Sequence, residues 1–331
     1  MTNDNNIPAV SVVMPVYGAE MTVAETVYSV LGQSFEDFEL LIVNDGAKDS
    51  SIAVCEGFHD PRVRMIHQKN RGLSGARNTG IREARGKFIA LIDADDTWHP
   101  HKLRNHVIHL EASPQVGISY SGSAMVDELS GAIGVSQKPR LKDVRPEHVF
   151  LRNPIGNGSA PVFRRKVFED IAYSDPVHGE SAYFDETFRQ SEDIECWTRI
   201  ALTTDWKMEG LPGQLTNYRI NANGLSADVE KQLANWERMV SKVAETNPQF
   251  HRRWAKVARG FQLRYLARRA VQSGKGAQGL SLCMKALREA PHLFIREPLK
   301  TTTTVGAAIF FAFAPSSFVE VIRRRFLGGA S

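Results

Sequence analysis

Lys87-Phe88-Ile89-Ala90-Leu91-Ile92-Asp93-Ala94-Asp95-Asp96 places an apolar run directly before a cluster of acids. A continuous run of this kind is what a strand buried on both faces of a parallel sheet requires. Residues 9–16 (AVSVVMPV) form a similar run that ends near Pro15. Residues 38–43 (FELLIV) form another, followed by Asn44-Asp45-Gly46. Residues 62–67 (RVRMIH) alternate like a half-exposed strand. Between the first two runs, Val23, Val27, Val30 and Leu31 recur at helical spacing within Ala19–Leu31. A second helix is expected over Ser50–Phe58, after the capping signals Asp49, Ser50 and Ser51. Strands alternating with helices predict an α/β layer with parallel pairing. Ligands of such sheets sit beyond the carboxyl ends of the strands. The acids at 93–96, Asn44-Asp45-Gly46 and Pro15-Val16-Tyr17-Gly18 are therefore expected on one rim.

Several acids around one point repel each other unless a cation joins them. Asp-x-Asp and adjacent Asp are hard oxygen ligands suited to Mg²⁺ or Mn²⁺. Taken alone, the cluster reads equally well as a solvated turn capping the next helix. The buried strand upstream and the second strand-end acid favour the metal. Asp45 can accept a nucleobase N–H, and Tyr17 can stack on a base or simply cover the sheet edge. The segment 70–80, NRGLSGARNTG, matches neither GxGxxG nor a P-loop. Its Arg77 and Asn78 can reach a diphosphate, steady the acids, or form a helix-start salt bridge. Farther along, residues 192–203 place Ile194, Trp197, Ile200 and Ala201 on one helical face. Glu192 and Asp193 open that helix, where the dipole favours carboxylates and where Asp193 can also serve as a general base across a cleft.

The chain has 331 residues, a length that suggests two domains, and 42% of them are hydrophobic, which supports a large core and excludes disorder for most of the chain. The net charge of +4 is unevenly spread. Residues 1–225 carry 23 Lys and Arg against 30 Asp and Glu, whereas residues 226–331 carry 18 against 7. The basic part is a candidate for contact with an anionic surface. It reads as helical from about 229, with helices over Arg264–Val271 and Gln278–Leu287 joined at 273–276 and a stop at Pro291. Residues 127–160 read as loops with short elements. Cys55, Cys196 and Cys283 have neither metal nor CxxC spacing, so they read as ordinary thiols of a reducing compartment. The opening residues lack the character of a signal peptide. The apolar stretch Val305–Ala314 is about half the length of a membrane span. Beyond Pro315, Ser317 and Glu320 have capping-box spacing for a short helix with Arg323-Arg324-Arg325. That tail suits either an anionic membrane surface or packing on protein. A cytoplasmic protein is expected, peripheral on the inner face of the cell membrane if the tail binds lipid. Nucleic acid is not an expected partner, because the basic region lacks aromatic interleaving.

In this order, VSVVMPVYGAE, FELLIVNDGAKDSS, NRGLSGARNTGI, GKFIALIDADDTWHP, SEDIECWTRIA and NYRINANGLS resemble the family 2 glycosyltransferases over roughly residues 8–226. The resemblance implies a GT-A fold over 1–225, with a nucleotide-binding half to about 120 and an acceptor half to about 225. Residues 226–331 would form a basic helical extension. It implies inverting, metal-dependent transfer (Mn²⁺ or Mg²⁺) from a nucleotide-diphospho-sugar to a saccharide or lipid-linked saccharide, of the kind used in bacterial polysaccharide assembly. By position, Pro15 and Tyr17 would border the nucleobase and Asp45 would bind it. Asp93 and Asp95 would hold the ribose and the metal-diphosphate, with Asp95 and Asp96 at the metal. Asp193 would be the base and Glu192 its orienting neighbour. The family often has a second Asp where this chain has Asn44, and a His where it has Asn221. The competing class is a catalytically silent nucleotide-sugar-binding scaffold that recruits partners through the basic C-terminal region.

Overall fold

The computed structural model describes residues 7–220 and 229–314. The chain divides into two compact units, Met1–Val149 with Asn153–Ala222, and Phe150–Arg152 with Asn223–Ser331. In the first unit, β1 (Val10–Val16), β2 (Phe38–Asn44), β3 (Val63–His67) and β4 (Phe88–Leu91) pair in parallel in the order β3-β2-β1-β4. The helices α1 (Val23–Leu31), α2 (Ser51–Glu56) and α3 (Gly72–Glu83) connect them. This is the alternation expected from the apolar runs. Successive side chains of a strand point to opposite faces, so the strands feed two cores. Val13, Leu41 and Leu91 pack on one face with Ala76 and Ile81 of α3. Val12, Met14, Leu40 and Ile42 pack on the other with Val23, Val27 and Val30 of α1.

The segment 70–80, which matched no phosphate-loop pattern, is largely α3. Its glycines serve close packing: a Cβ at Gly80 would lie 2.2 Å from Val13 Cγ1 on β1. After β4 come β5 (Thr97–Trp98), α4 (Lys102–Ala112), β6 (Val116–Val126), β7 (Ala132–Ser136), α5 (Pro146–Arg152), β8 (Val162–Arg164) and α6 (Arg165–Ile171). They are followed by β9 (Tyr173–Ser174), β10 (Ser181–Ala182), α7 (Glu192–Thr203) and β11 (Lys207–Arg219). The sheet continues from β4 as β8-β6-β11-β5, with β7 beside β6. Here the pairing becomes mixed, because β8 runs antiparallel to both β4 and β6. The helix expected over 192–203 is α7, whose Trp197 is fully buried against Phe163 and Phe184.

The second unit contains α8 (Val229–Thr246), α9 (Pro248–Gln272), α10 (Gly276–Glu289), α11 (Leu293–Arg296) and α12 (Pro298–Phe313). Helix α9 starts well before the expected Arg264. Asn247 caps it by accepting from the Phe250 N–H at 3.2 Å, and Pro248 occupies the first turn. The early part escaped a periodicity reading because His251–Lys256 has basic side chains around an otherwise sparse apolar stripe. Leu263, Leu266 and Ala270 of α9 pack on Leu282 and Ala286 of α10 and on Ala308 of α12. Among the described residues, no helix is long and apolar enough to cross a membrane. The helix expected after Pro315, its three arginines and Asn221 lie outside the described residues.

Candidate functional site

Parallel pairing fixes the rim. Val16 registers with Asn44, and Val13 with Leu91, so β1, β2 and β4 end side by side. The acidic loop that follows β4 is held from beneath by α1, where the Thr22 and Thr26 hydroxyls each donate to the Ala94 carbonyl at 3.0 Å.

Arg77 joins this loop to a distant part of the chain. Its guanidinium is 1% exposed and donates to Asp93 Oδ1 at 2.6 Å and to Glu192 Oε1 at 2.9 Å. Burial alone would lower the arginine's pKa, but the charges of Asp93 and Glu192 outweigh it and hold the cation firmly protonated. The space is shaped for this side chain, since a Cβ at Gly158 would stand 2.2 Å from Arg77 Nη2. Asp93, Arg77, Glu192 and Asp193 thus share one locality. Asp193 is half-buried and accepts from the Ile194 N–H at 2.7 Å. Burial first, and then the charge of Glu192, push its carboxyl up from 3.8 to about 7. A carboxyl that titrates near neutrality is suited to accept a proton in a reaction.

Two of the expected site acids point inward. Asp96 is 1% exposed, and both of its oxygens are engaged: Ser159 Oγ donates to Oδ2 at 2.5 Å, and the Arg219 N–H donates to Oδ1 at 2.9 Å. Burial, followed by the charges of Asp95 and Asp93, raises its carboxyl well above the usual range. It braces the loop from inside. Asp45 is 3% exposed and accepts from Gln68 Nε2 at 2.7 Å, the Arg71 N–H at 2.7 Å and the Gly72 N–H at 2.8 Å. It closes the 68–72 loop onto the end of β2. Pro15 is buried, whereas Tyr17 stands 56% exposed at the rim. Asp95 is half-buried beside Asp93.

This donor set bears on a divalent cation. Among the described residues, no three His, Cys, Asp or Glu gather closely enough to enclose a metal ion. Asp95 and Asp93 are hard oxygen donors on an open rim. They fit an ion of the Mg²⁺ type, which keeps waters and takes phosphate oxygens, and do not form an all-protein cage.

Several residues that build the site were invisible to sequence reasoning. Ser159 donates to Asp96, accepts from the Asp93 N–H at 2.9 Å, and offers its carbonyl to Trp98 Nε1 at 3.0 Å. Lys102 lies behind it, fully buried, and donates to the Ala160 carbonyl at 2.7 Å and to Thr216 Oγ1 at 3.1 Å. Burial pulls its amine down to about 7. Arg219 donates to the Asp95 carbonyl at 2.7 Å, the Glu128 carbonyl at 2.8 Å and Glu25 Oε2 at 2.7 Å. It thereby ties α1, the acidic loop and the β6–β7 turn together. The Gly and Asn around Ser159 signal only a turn, and nothing in that spacing announces a partner more than sixty residues away.

Residues 11–172 match the family described as Glycosyl transferase family 2. The succinoglycan biosynthesis protein ExoO of Rhizobium meliloti is 30% identical over 198 residues, 57% of this chain and 54% of that protein. The matches span between about a quarter and a third of the length of the first curated relatives. A crystal structure of S. aureus TarS 1–349 in complex with UDP-GlcNAc has a TM-score of 0.58 at 16% identity, covering 96% of this chain and 91% of that one. The mannosyltransferase PcManGT of Pyrobaculum calidifontis, in complex with GDP-Man and Mn²⁺, has a TM-score of 0.57 at 19% identity, covering 96% and 87%. At these identities the likeness is one of fold, and it agrees with the GT-A-like sheet and C-terminal helices described above. The match over residues 11–172 makes that part of the chain a glycosyl transferase family 2 domain.

Proposed function

We propose that the chain transfers a sugar, with inversion, from a nucleotide-diphospho-sugar to a hydroxyl acceptor in surface polysaccharide or glycolipid synthesis. The observation that carries this reading is the buried Arg77 bridge, which joins Asp93 at the strand-end rim to Glu192, the neighbour of Asp193 at the start of α7. Asp193 takes the proton from the acceptor hydroxyl as it attacks the anomeric carbon, and Glu192, anchored by Arg77, orients it. Positioned general-base help is worth about 10²–10⁴-fold in rate. Tyr17 gives the nucleobase a stacking face. Asp95, with Asp96 adjacent, would hold the divalent cation, which would neutralise charge developing on the leaving diphosphate. Asp96, Ser159, Asp45 and Arg219 keep these groups aimed, so Asp96 serves the metal site from behind. The nucleotide sugars in the TarS and PcManGT complexes, and the Mn²⁺ in the latter, support the donor and metal parts of this reading. The name of ExoO supports the polysaccharide part. A lipid-linked saccharide as acceptor would bring the chain to an anionic membrane surface from the cytoplasmic side.

The test is a thermal-shift panel of nucleotide-diphospho-sugars with and without Mn²⁺, then product analysis with the best donor. A metal-dependent shift and a new glycosidic product are expected, both lost in EDTA and restored by Mn²⁺ or Mg²⁺. Donor binding with neither transfer nor donor hydrolysis would identify a silent scaffold. Full activity in chelator would remove the metal from the reading.

A further inference from the structure

The inner and outer faces of α12 differ in an unusual way. Its inner face is anchored: Ala308 is fully buried, and Thr301 Oγ1 accepts from Arg264 Nη1 at 2.6 Å and donates to the Leu293 carbonyl at 3.1 Å. Its outer face carries Leu299, Thr302, Thr303, Ile309, Phe310 and Phe313, all exposed and none charged. At 100° per residue these positions form one stripe along the whole helix. Just before the helix, Ile295 is 83% exposed, and Leu299 and Phe313 are 82% and 79% exposed.

Cations flank the start of this stripe. The guanidinium of Arg253 lies 5.2 Å from the ring centre of Trp254, and that of Arg296 lies 5.7 Å from it. Among the described residues, neither Arg253 nor Arg296 pairs with a carboxylate. The one acid between residues 290 and 314, Glu297, is held by Arg264, Arg152 and Lys300. An exposed apolar stripe beside an indole and free guanidiniums, without competing negative charge, matches the chemistry of an anionic bilayer interface. With 16 residues, α12 can lie in such an interface and cannot span it.

We infer that Ile295 and the outer face of α12, flanked by Arg253, Trp254 and Arg296, form a docking surface for an anionic lipid bilayer. This deepens the membrane part of the proposed function and locates it on described residues ahead of the tail arginines. The test is co-sedimentation of the full chain with vesicles of phosphatidylglycerol and phosphatidylcholine, against phosphatidylcholine alone. Binding is expected only to the anionic vesicles, and weaker in high salt. Each basic side chain near such a surface contributes about fivefold in affinity, so Arg253→Gln with Arg296→Gln should weaken binding about thirtyfold. Ile295→Asp with Phe313→Asp should abolish it while the melting temperature holds. No binding to anionic vesicles, or unchanged binding in both double variants, overturns the inference. So does a stripe that joins two copies, seen as a doubled mass by light scattering that Phe310→Asp halves without any vesicle binding in the wild type. Binding of UDP with Mn²⁺ is measured on the same preparations. Its absence alongside intact vesicle binding would count against the transferase reading and leave the lipid surface standing.

Discussion

Replacing Asp193 by Asn tests both its effect on folding and its proposed role as the base in transfer. In the folded chain its pKa is raised from 3.8 to about 7, chiefly by burial. A raised carboxyl pKa means the native state binds the proton more tightly than the unfolded state. Stability is therefore highest while both states are protonated, below about pH 4, and falls as the pH rises through about 7. Three pKa units correspond to about 4 kcal/mol, and solvent screening at a half-buried group reduces this to about 2 kcal/mol. Asn carries no charge, so Asp193→Asn should match the wild type near pH 4 and exceed it by about 2 kcal/mol at pH 8. For a unit of this size that is about 4–8 °C in melting temperature. The assay is differential scanning calorimetry of both proteins from pH 4 to pH 8.5, with transfer measured in parallel. The variant should keep donor binding and lose about 10²–10⁴-fold in turnover. Wild-type kcat/KM should rise with a midpoint near pH 7. A melting-temperature difference that stays flat across this range would show that Asp193 holds no proton at neutral pH, and near-normal turnover in the variant would remove it as the base.

Two other substitutions probe the frame around the acids. Gly158→Ala puts a Cβ 2.2 Å from Arg77 Nη2 and must displace the guanidinium. Because the charge of Arg77 opposes the rise in the Asp193 pKa, the midpoint of the pH–rate profile should move upward, and transfer should fall at least about tenfold; an unmoved midpoint with full activity would show that Arg77 has no hold on Asp193. Ser159→Ala leaves Asp96 Oδ2 and the Asp93 N–H without their partner, at a cost of about 1–3 kcal/mol in unfolding free energy. Its kinetic effect should fall mainly on KM for the donor and on the Mn²⁺ concentration required, in contrast to the kcat loss of Asp193→Asn. A pure kcat loss in steady-state kinetics would contradict the assignment of Ser159 as a positioning residue.

The difference between Asp193 and Asp96 shows how far residue order can be followed to function. Both acids sit in recognisable local settings, one at the start of an amphipathic helix and one after a buried strand. Each was expected to face the reaction. The local setting gave the correct element in both cases. Which way a carboxylate turns depends on donors from elsewhere in the chain, here Ser159 and the Arg219 backbone for Asp96, and Arg77 for the neighbour of Asp193. Asp45 shows the same limit, because its partners arrive from a loop more than twenty residues away.

The amino-acid order fixed the alternating strands and helices of the first half, the shared rim of their acids, the helical character of residues 229–313 and the basic charge of the last hundred residues. These depend on apolar periodicity, local capping and composition, which act over a few neighbouring positions. The tertiary structure alone decided which acids face outward, that Arg77 joins Asp93 to Glu192, that Ser159 and Lys102 stand behind the acidic loop, and that α12 keeps an uncharged face in the open. Each of those outcomes is a long-range hydrogen bond, ion pair or burial, and its energy exists only once chain segments far apart in sequence have been brought into contact.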